Sequence, residues 1–169
     1  MTTLPPVIIT NMQPILLELQ ASFKESPLIQ IHDEFLDRYA IELWFKRDDL
    51  LHPVISGNKW RKLKYTLEHA LSVNCDTLIS MGGAYSNHLH ALAFAGKCLG
   101  LKTNGFIRGK LQKPINPTLQ DLENWGMKLE FIAREDYRSL RQYQTWQSLP
   151  NLPKGQYWLP EGGAGKFAL

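Results

Sequence analysis

Cysteine is nearly absent from this chain. Only Cys75 and Cys98 occur among 169 residues, far apart and in no C-x-x-C pair, so the sequence encodes neither a disulfide framework nor a cysteine-based metal site. Each lies in or beside an apolar segment, and both are expected to be packing residues. Long apolar runs are missing as well. The opening stretch MTTLPPVIITNMQ has no basic lead, and its apolar run is short and broken by proline, which excludes a signal peptide or membrane span there. A cytoplasmic location, with no membrane partner, is the resulting expectation. No run of like charge stands out either: 19 basic and 16 acidic residues are interspersed to a net charge of +3, so nucleic acid is not the expected partner.

What remains is the composition of one ordinary globular domain, 44% hydrophobic and 21% charged, long enough to bury a core. Residues 1 to about 40 read as an irregular lead-in with helix-like spacing around Ile15, Leu16 and Leu19. AIELWFKR, Ala40 to Arg47, alternates toward a strand, and a loop with Pro53 and Gly57 follows. Trp60, Leu63, Leu67 and Leu71 recur at helical spacing, predicting a helix from Asn58 to about Val73 with Ser56 or Asn58 as its cap. DTLISM then reads as a strand, GGAYSN as a turn, and HLHALAFAGKCLG as a small-residue helix stopped by Gly100. A strand KTNGFIRG, a helix through Leu119 and Leu122 to Trp125, a strand MKLEFIA, a helix REDYRSLRQYQTWQSL and a strand Gln156 to Leu159 complete the alternation. The class is α/β, an open, mainly parallel sheet with flanking helices. A strand and a Gly-rich turn normally lead into another helix, so further elements are expected beyond Leu169.

Open parallel sheets bind ligands at the carboxyl ends of their strands, where turns lead into helices with anion-attracting amides. Two stretches occupy such places, SGNKW around Lys59 and GGAYSNH from Gly82 to His88. Together they offer an amine, a hydroxyl, a side-chain amide, an imidazole and backbone donors. Lys59 stands at a helix start, where positive potential disfavours a second cation and favours the neutral, nucleophilic amine. It can equally be a solvated lysine whose stem covers Trp60, as Arg61, Lys62 and Lys64 are expected to be. Ser86 and Asn87 can equally be a helix cap, with Gly82 and Gly83 as plain turn residues. GGAGKF lacks the spacing and hydroxyl of a phosphate-binding loop, His88 and His90 fall on different helix faces, and Asp48 and Asp49 are expected to pair locally; no metal site is indicated.

In order, KRDDL, SGNKWRKL and DTLISMGGAYSNHLHALA resemble the pyridoxal-phosphate family that contains 1-aminocyclopropane-1-carboxylate deaminase and D-cysteine desulfhydrase, over roughly residues 40 to 110 and more weakly to PEGG at 160 to 163. The resemblance implies the tryptophan-synthase-β-like fold, fold type II. Residues 1–50 would then be the lead-in and first strand of a larger domain, 51–152 the small α/β domain, and 153–169 the return toward the larger one. It implies pyridoxal 5'-phosphate as cofactor, Lys59 as the Schiff-base lysine and the base for the α-proton, and Asn87 beside the cofactor's phenolic oxygen. Ser86 would hold the substrate carboxylate and assist proton transfer, with Asn87 and His88 also at the substrate. Histidine at 88 resembles desulfhydrase-type members, where deaminase-type members have glutamine. The implied reaction releases ammonia and a 2-oxo acid from a small amino acid such as D-cysteine or 1-aminocyclopropane-1-carboxylate, and the full-length form would be a homodimer. The family's phosphate loop belongs to a C-terminal half outside this sequence, so the alternative is a non-catalytic fragment of such an enzyme.

Overall fold

The computed structural model describes residues 12–168. The opening residues on which the signal-peptide reading rests lie largely outside it. The elements are α1 (Pro14–Ala21), β1 (Leu28–Ile31), α2 (Glu34–Arg38), β2 (Leu43–Lys46), α3 (Lys59–Ser72), β3 (Thr77–Gly82), α4 (Asn87–Leu99), β4 (Lys102–Arg108), α5 (Pro117–Asn124), β5 (Met127–Ile132), α6 (Arg134–Leu140) and β6 (Gln156–Trp158). Short 3-10 turns cover Asp48–Leu50 and Glu161–Gly163.

Four strands form one sheet in the order β5-β4-β3-β6, every pair parallel. All six residues of β3 are buried, as a central strand covered on both faces requires. Helix α4 packs on it with Leu89, Ala91, Leu92, Ala93, Ala95, Gly96 and Leu99 all buried. Its small residues let helix and sheet approach closely: a Cβ added at Gly96 would stand 2.3 Å from Thr103 Cγ2 of β4. On α3 the buried face is Trp60, Leu63, Leu67 and Ala70, spaced as a 3.6-residue period demands. Leu16 and Leu19 of α1 close the same core from outside.

Three expectations are corrected. The lead-in contains a strand and a short helix as well as α1, and β1 pairs antiparallel with β2 in a hairpin of its own. The helix expected over residues 134–149 ends at Leu140, and past it the carbonyl of Tyr143 accepts a hydrogen bond from Trp158 Nε1 at 2.8 Å instead of continuing a helical ladder. Cys75 is buried as a packing residue, but Cys98 is exposed on the outer face of α4. Among the described residues, no helix is long and apolar enough to cross a membrane.

Candidate active site

The Glu161–Gly163 turn, which follows β6, touches β3, α3 and α4 and lies between Lys62 and His88, so the starts of α3 and α4 come together there and Lys59 stands at the carboxyl edge of the sheet. Gly57 turns the chain into the helix at φ +61°, and Asn58 precedes Lys59 without capping it through its side chain. Burial, and then the neighbouring charge of Lys62, push the Lys59 amine below the ordinary lysine range.

A clamp that the sequence reading assigned to solvent holds this turn. Arg61 donates to both oxygens of Asp48, at 2.6 and 2.9 Å, Ser26 Oγ donates to the same carboxylate at 2.7 Å, and Gly57 N donates to the Asp48 carbonyl at 2.9 Å. The Arg61 guanidinium is the main reason that the Asp48 carboxyl is pulled down to about 2. Asp49 pairs locally with Arg47 at 2.8 Å as expected, whereas Asp48 departs from that expectation by pairing across the loop with Arg61. An R-D-D followed by arginine after the turn was the available signal, but the pairing across the loop has no periodic signature.

The second turn follows β3 directly. Ser86 caps α4, its Oγ accepting from Leu89 N at 3.2 Å. Gly82 is required beneath it, because a Cβ there would meet Ser86 Oγ at 2.5 Å. The capping reading of Ser86 is thus satisfied geometrically, and its hydroxyl hydrogen is still able to donate outward. Asn87 is exposed on the first turn, and among the described residues no group is hydrogen-bonded to its side chain.

His88 points the other way. It is buried at 3% exposure, with Nε2 2.8 Å from Ser80 Oγ, and Ser80 donates its own hydrogen to the Leu159 carbonyl at 2.9 Å. Since that hydroxyl proton is committed, the imidazole is the donor and carries its hydrogen on Nε2. Nδ1 is left buried without a partner, facing Gly163. Burial, and then the charges of Lys59 and Lys62, push His88 down to about 3, so it is neutral at any ordinary pH. Gly163 joins the two helix starts: a Cβ there would stand 3.1 Å from His88 Cε1 and 3.6 Å from Lys62 Cβ. The PEGG segment thus seats between α3 and α4, with Glu161 held by the Tyr137 hydroxyl and by Arg141 at 2.6 Å.

The structure therefore brings Lys59, Ser86 and Asn87 to one edge, while His88 lies behind them. A cleft of about 940 Å³ starts at Gly83, Ala84 and Tyr85 and runs away from Lys59 along the ends of β4 and β5.

An open parallel sheet with two helix-opening turns at its carboxyl edge is the architecture of fold type II enzymes, and a solved 1-aminocyclopropane-1-carboxylate deaminase homologue superposes with a TM-score of 0.66 at 27% identity, covering 93% of this chain and 50% of that one. A hydrogen sulfide-producing enzyme from Fusobacterium nucleatum shares the fold at a TM-score of 0.57 and 12% identity, over 89% of this chain and 46% of that one. In sequence, a Thermotoga maritima protein provisionally named 1-aminocyclopropane-1-carboxylate deaminase is 33% identical over 153 residues, 89% of this chain and 48% of that protein. The mitochondrial bifunctional D-cysteine desulfhydrase/1-aminocyclopropane-1-carboxylate deaminase of Arabidopsis thaliana is 34% identical over 135 residues, 75% of this chain and 34% of that protein. No family model matches. The chain belongs to the 1-aminocyclopropane-1-carboxylate deaminase and D-cysteine desulfhydrase family, whose enzymes depend on pyridoxal phosphate, and it spans about half the length of the Thermotoga relative and a third of the Arabidopsis one.

Proposed function

We propose that this chain carries the lysine and the carboxylate-binding turn of a pyridoxal-phosphate-dependent deaminase or desulfhydrase acting on a small amino acid. The observation that supports this most is Lys59, an amine whose charged form is disfavoured, at the same sheet edge as the Ser86-Asn87 turn. These donors fit the cofactor: Lys59 would hold it through its amine, and the unengaged Asn87 amide would meet its ring oxygen. When bound, the cofactor withdraws electrons from the substrate α-carbon.

Lys59, once released, takes the α-proton, a step its lowered pKa favours by leaving more of it neutral. Ser86 donates its free hydroxyl hydrogen to the substrate carboxylate while its oxygen stays engaged with Leu89 N. The exposed amides at the start of α4 attract the same anion. His88 serves the substrate from behind, locking the turn through Ser80 and the Leu159 carbonyl without titrating. With D-cysteine, hydrosulfide would then leave and water would release ammonia and a 2-oxo acid. 1-Aminocyclopropane-1-carboxylate has no α-proton for Lys59 to take, so its ring would open by another route in which Ser86 matters more, before the same hydrolysis.

The test is chemical. The protein is mixed with pyridoxal phosphate, reduced with borohydride and mapped by peptide mass, and the label is expected on Lys59 in large excess over the surface lysines. Even labelling across lysines overturns the assignment. With D-cysteine or 1-aminocyclopropane-1-carboxylate as substrate, 2-oxo acid release should vanish in Lys59→Ala; label without release supports the non-catalytic alternative.

A further inference from the structure

Beyond this site lies a second constellation that uses none of Lys59, Ser86, Asn87 or His88. Arg108 ends β4, and Arg134, Arg138 and Arg141 come from α6 and the turn after it. With Tyr137 these four arginines, each exposed to solvent, line one cleft of about 320 Å³. Arginine is seldom gathered so densely without an acceptor, because like charges repel across a shared space. The carboxylate that Arg141 reaches is already engaged: Glu161 takes the Tyr137 hydroxyl as well as Arg141. Glu135 lines the larger neighbouring cleft instead, with Arg108, Arg134 and Lys110.

Once the Arg141–Glu161 pair is set aside, three cations remain. Among the described residues, no carboxylate or carbonyl is hydrogen-bonded to the side chains of Arg108, Arg134 or Arg138. Arg108 is held in place rather than loose, with its guanidinium 5.5 Å from the centre of the Tyr137 ring and its Nη2 4.0 Å from where a Cβ on Gly83 would stand. The Tyr137 ring is buried and gives the cleft a fixed wall.

We propose that Arg108, Arg134 and Arg138 form a binding site for a phosphoryl group. A single carboxylate offers two oxygens, which one arginine fork already satisfies. Three forks around one cleft require an anion with more oxygens and more charge, and a tetrahedral phosphoryl group supplies both. The cleft has room for such a group with part of its hydration shell. Its position at the carboxyl ends of parallel strands is where open α/β sheets take their ligands, and Arg108 reaches from it to the same turn that carries Ser86.

Binding of inorganic phosphate to the intact 169-residue chain, measured by calorimetry at constant ionic strength against chloride, tests this. Arg134→Gln with Arg138→Gln is expected to weaken binding at least tenfold, while Arg38→Gln, on α2, leaves it unchanged. Phosphoserine compared with inorganic phosphate shows whether the group is best bound free or carried on an organic molecule; tighter binding of either satisfies the proposal. Should the double variant fold poorly, phosphate protection against phenylglyoxal is mapped by peptide mass in the unaltered protein. Selective protection of Arg108, Arg134 and Arg138 supports the site. Binding no stronger than chloride, equal binding by the double variant, or protection spread over all arginines overturns it.

Discussion

His88 shows what burial does to a titratable side chain. In the folded chain its pKa is pushed down to about 3, whereas in the unfolded chain it returns to an ordinary value near 6.5. The unfolded state therefore binds the extra proton first as pH falls. The stabilisation is complete above about pH 6.5 and is lost progressively toward pH 3, with a slope approaching about 1.4 kcal/mol per pH unit. Denaturant titrations of His88→Gln should lack this component of the slope; an unchanged slope would show that His88 does not titrate in this way. Ser86→Ala removes a cap and should cost about 0.5–2 kcal/mol, whereas Asn87→Ala, exposed and unbonded, should leave the melting temperature nearly unchanged. A large loss in Asn87→Ala would reveal a structural role that the geometry lacks. The turns that carry Lys59, Ser86 and Asn87 were legible because glycine turns and caps are written in consecutive residues. The Ser80–His88–Leu159 chain and the Asp48–Arg61 clamp were not, since each joins residues from separate elements and leaves no local pattern.

Among the elements, those with strong periodicity or clear stops were readable. Helix α4 ends where Gly100 takes a left-handed φ of +68°, and α3 and β3 through β5 fall within a residue or two of their expected bounds. β1, only four residues long with exposed side chains at three of them, offered too little alternation to be found before its partner was known. Helix α6 was overextended because Tyr143, Trp146 and Leu149 continue at three-residue spacing after Leu140, while tertiary bonding to Trp158 claims the backbone there. The closeness of α4 to β4 also makes a prediction. Gly96→Val must displace Thr103 or the helix, an overpacking cost of about 1–3 kcal/mol. Thermal unfolding should register it, and a restoring Thr103→Ala would assign the loss to this contact; no recovery would place it elsewhere.

At the scale of the molecule, the hairpin β1–β2 with α2 presents Leu28, Phe35, Tyr39, Trp44 and Phe45 to water, each at least 46% exposed. Apolar surface gathered in this way drives association. Sedimentation velocity should show concentration-dependent self-association, and Ile29→Lys with Phe45→Lys, a directly paired cross-strand couple, should suppress it. A monomer at all concentrations would contradict the expectation.

The order β5-β4-β3-β6 has a temporal meaning as well. During synthesis, β3, β4 and β5 can zip together with their helices as they emerge, since each follows closely on the last. The other edge of β3 must wait for residues 156–158, and the Ser80 hydroxyl must wait for the carbonyl of Leu159. Pairing across so long a separation is slow. Until it happens, β3, buried along its whole length in the finished fold, is an open edge on the ribosome, and residues 156–159, made after β3 to β5, are the ones that seal it.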